Sequence, residues 1–283
     1  MDPRDPRDQH GAHSPVLRVV TANAASGRDA RGRPDHRAFA RAAGEAQRGL
    51  DADVWAVQEV DHLLPRSGGA DQSAELGRAL AGGSAPWTSV FAAAVHGTPG
   101  SVAGFRPAVH TEADEPSYGV ALHTRLPVLG TEELHLPPSG LRIPVPLPPG
   151  ADARVLWVPD EPRVALITVL GTTGGEVAVV TTHLSFAPWQ ARRQLQAVVE
   201  HCRQLPRPLV LLGDLNLGAR TAARVTGWTG SGSSPTYPAH RPRRRLDHVL
   251  LDHDGGLVVH ELGTPRLGGS DHRAVAAELR RPV

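Results

Sequence analysis

Five short apolar runs punctuate the chain, and each of the first four stops at residues able to bind a metal or move a proton. Residues 17–20 (LRVV) lead into Thr21-Ala22-Asn23, and residues 54–57 (VWAV) into Gln58-Glu59. Residues 177–180 (VAVV) lead into Thr181-Thr182-His183, and residues 209–212 (LVLL) into Gly213-Asp214-Leu215-Asn216. The fifth run, 249–251, is preceded by Asp247-His248. Runs this short and rich in branched residues predict strands buried on both faces. If the strands share a sheet direction, their polar ends converge on one rim, where α/β folds build their sites. A single Asn or Glu after a strand is an ordinary turn or solvated residue. The coincidence of all of them points to a site.

Further strands are predicted at 118–123 and 164–170, the second pairing with 176–182 across the turn Thr172-Thr173-Gly174-Gly175. Helical periodicity covers 35–50, with Asp35 as its cap and Phe39, Ala42, Ala43, Ala46 and Leu50 on one face. A short helix is predicted at 73–80. A third, 188–205, opens on Pro188 and aligns Leu195, Val198, Val199, Cys202 and Leu205. Cys202 is the only cysteine, which excludes an intrachain disulfide framework and a cysteine-rich zinc site; on that stripe it reads as core packing. The proline-rich stretch 134–162 has no period and reads as a long surface loop. Strands and helices interleave without a central linker, so the expectation is a flexible tail over 1–15 and one α/β domain over 16–283.

A 40% hydrophobic composition suffices for a core and excludes a disordered chain. Residues 1–15 alternate proline with charge and lack the apolar segment of a secretory signal. No run approaches the roughly 18 apolar residues that cross a bilayer. The expectation is a cytoplasmic protein with no membrane contact and no indicated protein partner. The 30 basic residues, all arginine, balance 29 acidic ones to a net charge of +1, which argues against a non-specific DNA coat. That charge is unevenly placed. No acid lies between Asp214 and Asp247, while Arg220, Arg224, Arg241, Arg243, Arg244 and Arg245 do. Arginine grips phosphate with two parallel hydrogen bonds, so Arg243, Arg244 and Arg245 are candidate phosphate contacts, weighed equally with a solvated basic loop. Arg163, after Glu161-Pro162, is a candidate of the same kind.

Near the C-terminus, Ser270-Asp271-His272 comes directly after Gly268-Gly269. Adjacent Asp and His can place a carboxylate on a metal and an imidazole on substrate. The imidazole then needs a second carboxylate to hold its proton, and Asp247 is the candidate.

Taken together, Asn23 in TANAASG, Gln58-Glu59 in VWAVQEVD, Tyr118-Gly119 in SYGVALHTRLPV, His183 in VVTTHLS, Asp214 and Asn216 in LLGDLN, Asp247 in RRLDHVL and Asp271-His272 in GGSDHRAV resemble the endonuclease/exonuclease/phosphatase superfamily, the DNase-I-like metal-dependent phosphoesterases. The resemblance spans residues 16–280. It implies a four-layer α/β/β/α sandwich with the site at one end. It also implies a Mg²⁺ or Mn²⁺ ion held by Glu59 with Asn23 beside it and Asp271 on the metal or its water. Asp214 would orient the attacking water or a second metal, and Asn216 and His183 would hold phosphate. His272, paired with Asp247, would be a general acid/base or a transition-state stabiliser. Hard oxygen donors suit such an ion. Two departures stand out. Ala24 and Ala25 occupy positions where many relatives carry a charged or histidine side chain, and Val60-Asp61 replaces the lysine common in abasic-site endonucleases. The expected activity is hydrolysis of a phosphodiester in a small substrate. The alternatives are a nuclease on DNA or RNA, a phosphomonoesterase on sugar or lipid headgroups, and a non-catalytic relative that kept only the fold. The last should have lost one of Glu59, Asp214, Asn216, Asp247 or His272, and all are present.

Overall fold

All five apolar runs form strands, and each strand is apolar on both faces because each sheet is covered on both. The computed structural model describes residues 17–28, 33–83, 86–99, 104–146 and 154–282; the tail expected over 1–15 lies outside them. In chain order the elements begin β1 (Leu17–Asn23), α1 (His36–Leu50), β2 (Val54–His62), α2 (Gln72–Ala81), β3 (Thr88–Gly97), β4 (Phe105–Pro107), β5 (Ser117–Thr124) and β6 (Val128–Leu136). Then come β7 (Arg142–Pro146), β8 (Val155–Pro159), β9 (Arg163–Thr172), β10 (Gly175–His183), α3 (Pro188–Cys202), β11 (Leu209–Asp214), α4 (Ala219–Thr226), β12 (Thr229–Gly230), β13 (Asp247–Leu251), β14 (Val258–Gly263) and β15 (Val275–Arg280).

Two sheets stack face to face. The first runs β14-β15-β1-β2-β5-β3-β4 and the second β12-β13-β11-β10-β9-β6. Between them lie Leu17, Val19, Val54, Ala56, Val120 and Leu122 from one side, and Val164, Leu166, Val177, Val179, Val210 and Leu212 from the other. The alternate residues Val20, Ala22, Trp55 and Val57 face outward and are covered by α1 and α2 through Phe39, Ala43, Leu76 and Leu80. Ala178, Val180, Leu209 and Leu211 are covered on the opposite surface by Ala191, Leu195, Val198 and Cys202 of α3 and Ala222 of α4. The result is the four-layer α/β/β/α sandwich. Burying one large aliphatic side chain contributes about 1.5–3 kcal/mol, so two-sided burial explains why these strands read as unbroken apolar runs.

Aspartates cap two helix starts, Asp35 as expected and Asp71 in addition. Asp35 accepts from the Ala38 backbone N–H (3.2 Å) and Asp71 from that of Ala74 (2.9 Å). α3 ends at Cys202 rather than at 205, because Leu205 precedes Pro206 and the helical conformation is disfavoured there. The hairpin across 172–175 forms, with Thr172 opposite Gly175. One expectation is corrected. The stretch 134–162 is not one loop: β6 extends to Leu136, and β7 pairs with β8 as a separate two-stranded sheet. Every strand of a two-stranded ribbon has an unpaired edge, so prolines such as Pro144 and Pro159 are tolerated there. The polar strand ends come from both sheets. β1 and β2 run parallel in the first sheet, β10 and β11 in the second, and their ends meet across the gap between the sheets.

Candidate active site

The side chains that matter continue the inter-sheet faces of their strands. Val210 and Leu212 of β11 face the other sheet, and two residues on comes Asp214; Val177 and Val179 of β10 lead in the same way to His183. β13 and β15 run antiparallel to their neighbours, so their starts lie at this same end. Asp247 pairs with Asp214, and the 270–272 loop precedes Val275, the partner of Thr21.

Glu59 is aimed by a break in the ladder. The β2–β5 register passes from Gln58 opposite Val120 to Val60 opposite Gly119, leaving Glu59 unpaired with φ +55°. A non-glycine residue held in the left-handed region is strained by about 1–3 kcal/mol, and such strain concentrates at functional sites. The bulge also inverts the facing of the next two residues: Val60 turns outward to the helices and Asp61 inward. Gly213 has a different reason. A Cβ there would lie 2.0 Å from the Thr182 carbonyl oxygen, so β11 approaches β10 this closely only with glycine before Asp214.

Glu59, Arg163, His183, Asp214, Asn216, Arg244, Asp271 and His272 line one cleft of about 520 Å³. Asn23 and Asp247 lie beneath it. Asn23 Nδ2 donates to Glu59 Oε1 (3.0 Å) and to Asp214 Oδ2 (3.1 Å), while its Oδ1 accepts from the Ala25 N–H (2.9 Å). It thereby ties a carboxylate of one sheet to a carboxylate of the other. His272 Nδ1 donates to Asp247 Oδ2 at 2.9 Å and lies 3.6 Å from Asp214 Oδ2. The Asn216 N–H donates to Asp214 Oδ1 (3.0 Å), and Asn216 Nδ2 donates to the Leu184 carbonyl (3.0 Å).

The protonation states separate. Burial works against a charged His272, but Asp247, with Asp214 and Asp271 behind it, lifts the imidazole to about 10. Burial raises Asp214 to about 7, and the neighbouring Asp247 adds to the rise against His272 and the Asn216 and Asn23 hydrogen bonds. Burial, then Arg163 and His272, push His183 well below its ordinary value. His183 is therefore a neutral ring. Arg163 Nη1 lies 3.3 Å from its Nδ1 and Asn216 Nδ2 lies 3.3 Å from its Nε2, so each ring nitrogen faces a donor; Nε2 is also 3.7 Å from Asp214 Oδ2.

The three arginines of the 243–245 run part company. Arg244 lines the cleft. Arg243 is exposed and does not line it. Arg245 is buried, paired with Glu261 and bonded to Ser231 and the Ser234 carbonyl, so its guanidinium is not free for phosphate. Arg163 is buried in the cleft wall, where Glu161 approaches it at 3.5 Å. Sequence reasoning gave no site role to Arg66, Ser26 or Tyr237, which also line the cleft. Arg66 grips the buried Asp61 through two hydrogen bonds (2.9 and 2.7 Å), reaches Ser26 Oγ (3.1 Å) and lies over the Tyr118 ring. Tyr237 packs on His272 with ring centroids 4.8 Å apart. The Val60-Asp61 departure thus supplies the anchor for Arg66; nothing in the sequence signals Tyr237.

Two donor sets are suited to a cation. Glu59 and Asp271 offer carboxylate oxygens to the cleft, the chemistry Mg²⁺ or Mn²⁺ prefers. Asp214, Asp247 and His272 place ligand atoms within 4.8 Å of one another, and Asp247 Oδ1 has no hydrogen-bond partner. In the second set the imidazole nitrogen is already committed to Asp247.

The Endonuclease/Exonuclease/phosphatase family profile matches residues 20–272, and the chain belongs to that family. Members are hydrolytic, act on phosphoesters and generally depend on a divalent metal. Among solved structures, an endonuclease/exonuclease/phosphatase from Beutenbergia cavernae is similar at 22% identity and TM-score 0.64, covering 95% of this chain and 72% of the other. A mannosyl-6-phosphatase from Bacteroides thetaiotaomicron matches at 18% identity and TM-score 0.60 (93% and 99% covered). D. rerio TDP2 complexed with a single-strand DNA product matches at 15% and 0.58 (93% and 98%). These likenesses concern the fold. No curated protein matches the chain in sequence. No helix among the described residues is long and apolar enough to cross a membrane.

Proposed function

We propose that the protein is a divalent-metal-dependent phosphoesterase that hydrolyses a phosphodiester in a small substrate, with residues 16–283 as its single domain. The observation that carries this reading is the joining of Glu59, Asp214 and His272, from three distant parts of the chain, around one arginine-lined cleft. Glu59, with Asp271 and with Asn23 beside it, is the set assigned to Mg²⁺ or Mn²⁺; bound there, the ion would neutralise the negative charge that makes a phosphodiester resist attack.

The chain's own groups supply the rest. Asp214, raised to about 7, is suited to orient a water and accept its proton. Asn23 and the Asn216 N–H hold that carboxylate in direction. His272, charged and held by Asp247, faces the cleft as a proton donor or as a counter-charge for the transition state. His183, a neutral ring, and Asn216 are the groups assigned to the phosphate oxygens. Arg163 and Arg244 place positive charge on the cleft walls. A cleft of about 520 Å³ suits a compact anionic group, whereas a long polyanion needs basic surface far beyond it. The test is a hydrolysis screen with added metal over small diesters, nucleotides, sugar phosphates, phospholipids, RNA and DNA. Turnover of small diesters supports the reading; exclusive turnover of sugar monophosphates or of DNA assigns the cleft to the monoesterase or nuclease alternative.

A further inference from the structure

A second group of candidate ligands lies at the β3–β4 edge of the first sheet. His96, near the end of β3, is 2% exposed. Its Nδ1 lies 2.8 Å from Ser117 Oγ, and that hydroxyl donates its one proton to the Glu115 carbonyl at 2.6 Å. Ser117 Oγ must then accept, so Nδ1 of His96 carries a proton. Nε2 is buried and has no hydrogen-bond partner, and in the neutral ring it holds the lone pair. It faces Glu112 Oε1 at 3.5 Å, and the Nε2 of His110 lies 4.0 Å from that same oxygen. A lone pair opposing a carboxylate is unfavourable unless a proton or a metal cation sits between them.

We propose that His96 Nε2, Glu112 Oε1 and His110 Nε2 form a binding site for a divalent transition metal, zinc first, separate from the catalytic cleft. Two imidazoles and one carboxylate suit zinc, with water in the fourth place. Metal–ligand bonds near 2.0–2.1 Å put tetrahedral ligands about 3.3 Å apart, so the His96–Glu112 spacing is almost that of a bound site. His110, whose side chain is 68% exposed, must swing inward, because the three ligand atoms do not all lie within 4.8 Å of one another without the metal. Arg106 Nη2 sits 3.1 Å from Glu112 Oε1 but also 3.5 Å from Glu115 Oε1, and Glu115 is where it goes when the metal enters. The relay from Nδ1 through Ser117 to the Glu115 carbonyl is the outer support that fixes the tautomer of a metal-binding histidine. The site would clamp the 108–116 segment onto β3, just before Tyr118 of the cleft wall.

The experiment is zinc titration of the whole protein in saturating Mg²⁺, read by calorimetry and by the rise in Tm, with a zinc-edge anomalous map to locate the ion. Wild type and Glu59→Gln should bind one zinc at this edge. His110→Ala and Glu112→Gln change exposed residues and should fold normally, with zinc affinity at least tenfold weaker; His96→Asn should abolish it. Zinc affinity unchanged in both His110→Ala and Glu112→Gln, or an anomalous peak only in the cleft, overturns the site and leaves His96 and Glu112 as a simple ion pair.

Discussion

Asp214 and Asp247 stand directly opposite each other on β11 and β13, both buried, with one imidazole nitrogen of His272 in reach of both (3.6 and 2.9 Å). Two buried carboxylates this close cannot both stay ionised without a cation, and His272 supplies one. His272→Ala should lower kcat by ~10²–10⁴, the usual loss for a positioned proton-transfer group. Asp247→Asn should fall in a similar range by releasing the ring. Steady-state kinetics check both, and wild-type turnover in both variants would remove His272 from the chemistry.

Adjacent arginines should behave differently. Arg244 lines the cleft, so Arg244→Ala should raise KM for a phosphate substrate more than it lowers kcat, because charge at a rim holds substrate and transition state alike. Arg245→Ala should leave Glu261 half-buried without its partner and destabilise the fold by about 3–5 kcal/mol. Kinetics and chemical denaturation on the two variants separate the roles.

Gly213→Ala would drive a Cβ to 2.0 Å from the Thr182 carbonyl oxygen. Forcing β10 and β11 apart should cost at least the ~1–3 kcal/mol typical of overpacking, read as a lower denaturation midpoint. Activity should fall further than stability, since Asp214 is the next residue.

Acid should destabilise the protein through two histidines outside the chemistry. Burial, the main cause in each, lowers His123 to about 4 and His248 to about 4 from 6.5. Both must stay neutral in the fold, while the unfolded chain protonates them. Their contribution is fully present above pH 6.5 and is lost as the pH falls from 6.5 towards 4, up to roughly 3 kcal/mol each. His272 has the opposite sign: its raised value stabilises below 6.5 and that contribution disappears as the pH rises through about 10. Tm against pH should therefore drop between 6.5 and 4, and His248→Gln, which removes the group that must stay neutral, should flatten the drop.

Features that depend on near neighbours were legible in the sequence, and those that depend on distant strands were not. Asp35 caps α1 through a neighbour three residues away, and the apolar runs of β10 and β11 end in His183 and Asp214. Such local patterns survive reading in one dimension. The split of β1–β2 and β10–β11 into separate sheets does not, because every strand is apolar on both faces and nothing in it names its neighbour. The bulge at Glu59 is set by β5, about sixty residues on. Arg244 and Arg245 look alike until Glu261 claims one of them, and Tyr237 reaches His272 only through the folded path of the chain.

The most direct test of the central claim is turnover of a bis-aryl phosphate and of plasmid DNA at matched salt, with Mg²⁺ or Mn²⁺ and then with excess chelator, on wild type and Glu59→Gln. The account predicts small-diester hydrolysis that vanishes with chelator, returns with metal and is severely weakened in a folded Glu59→Gln protein. Full activity in excess chelator, or rapid plasmid nicking with no hydrolysis of the small diester, would contradict it.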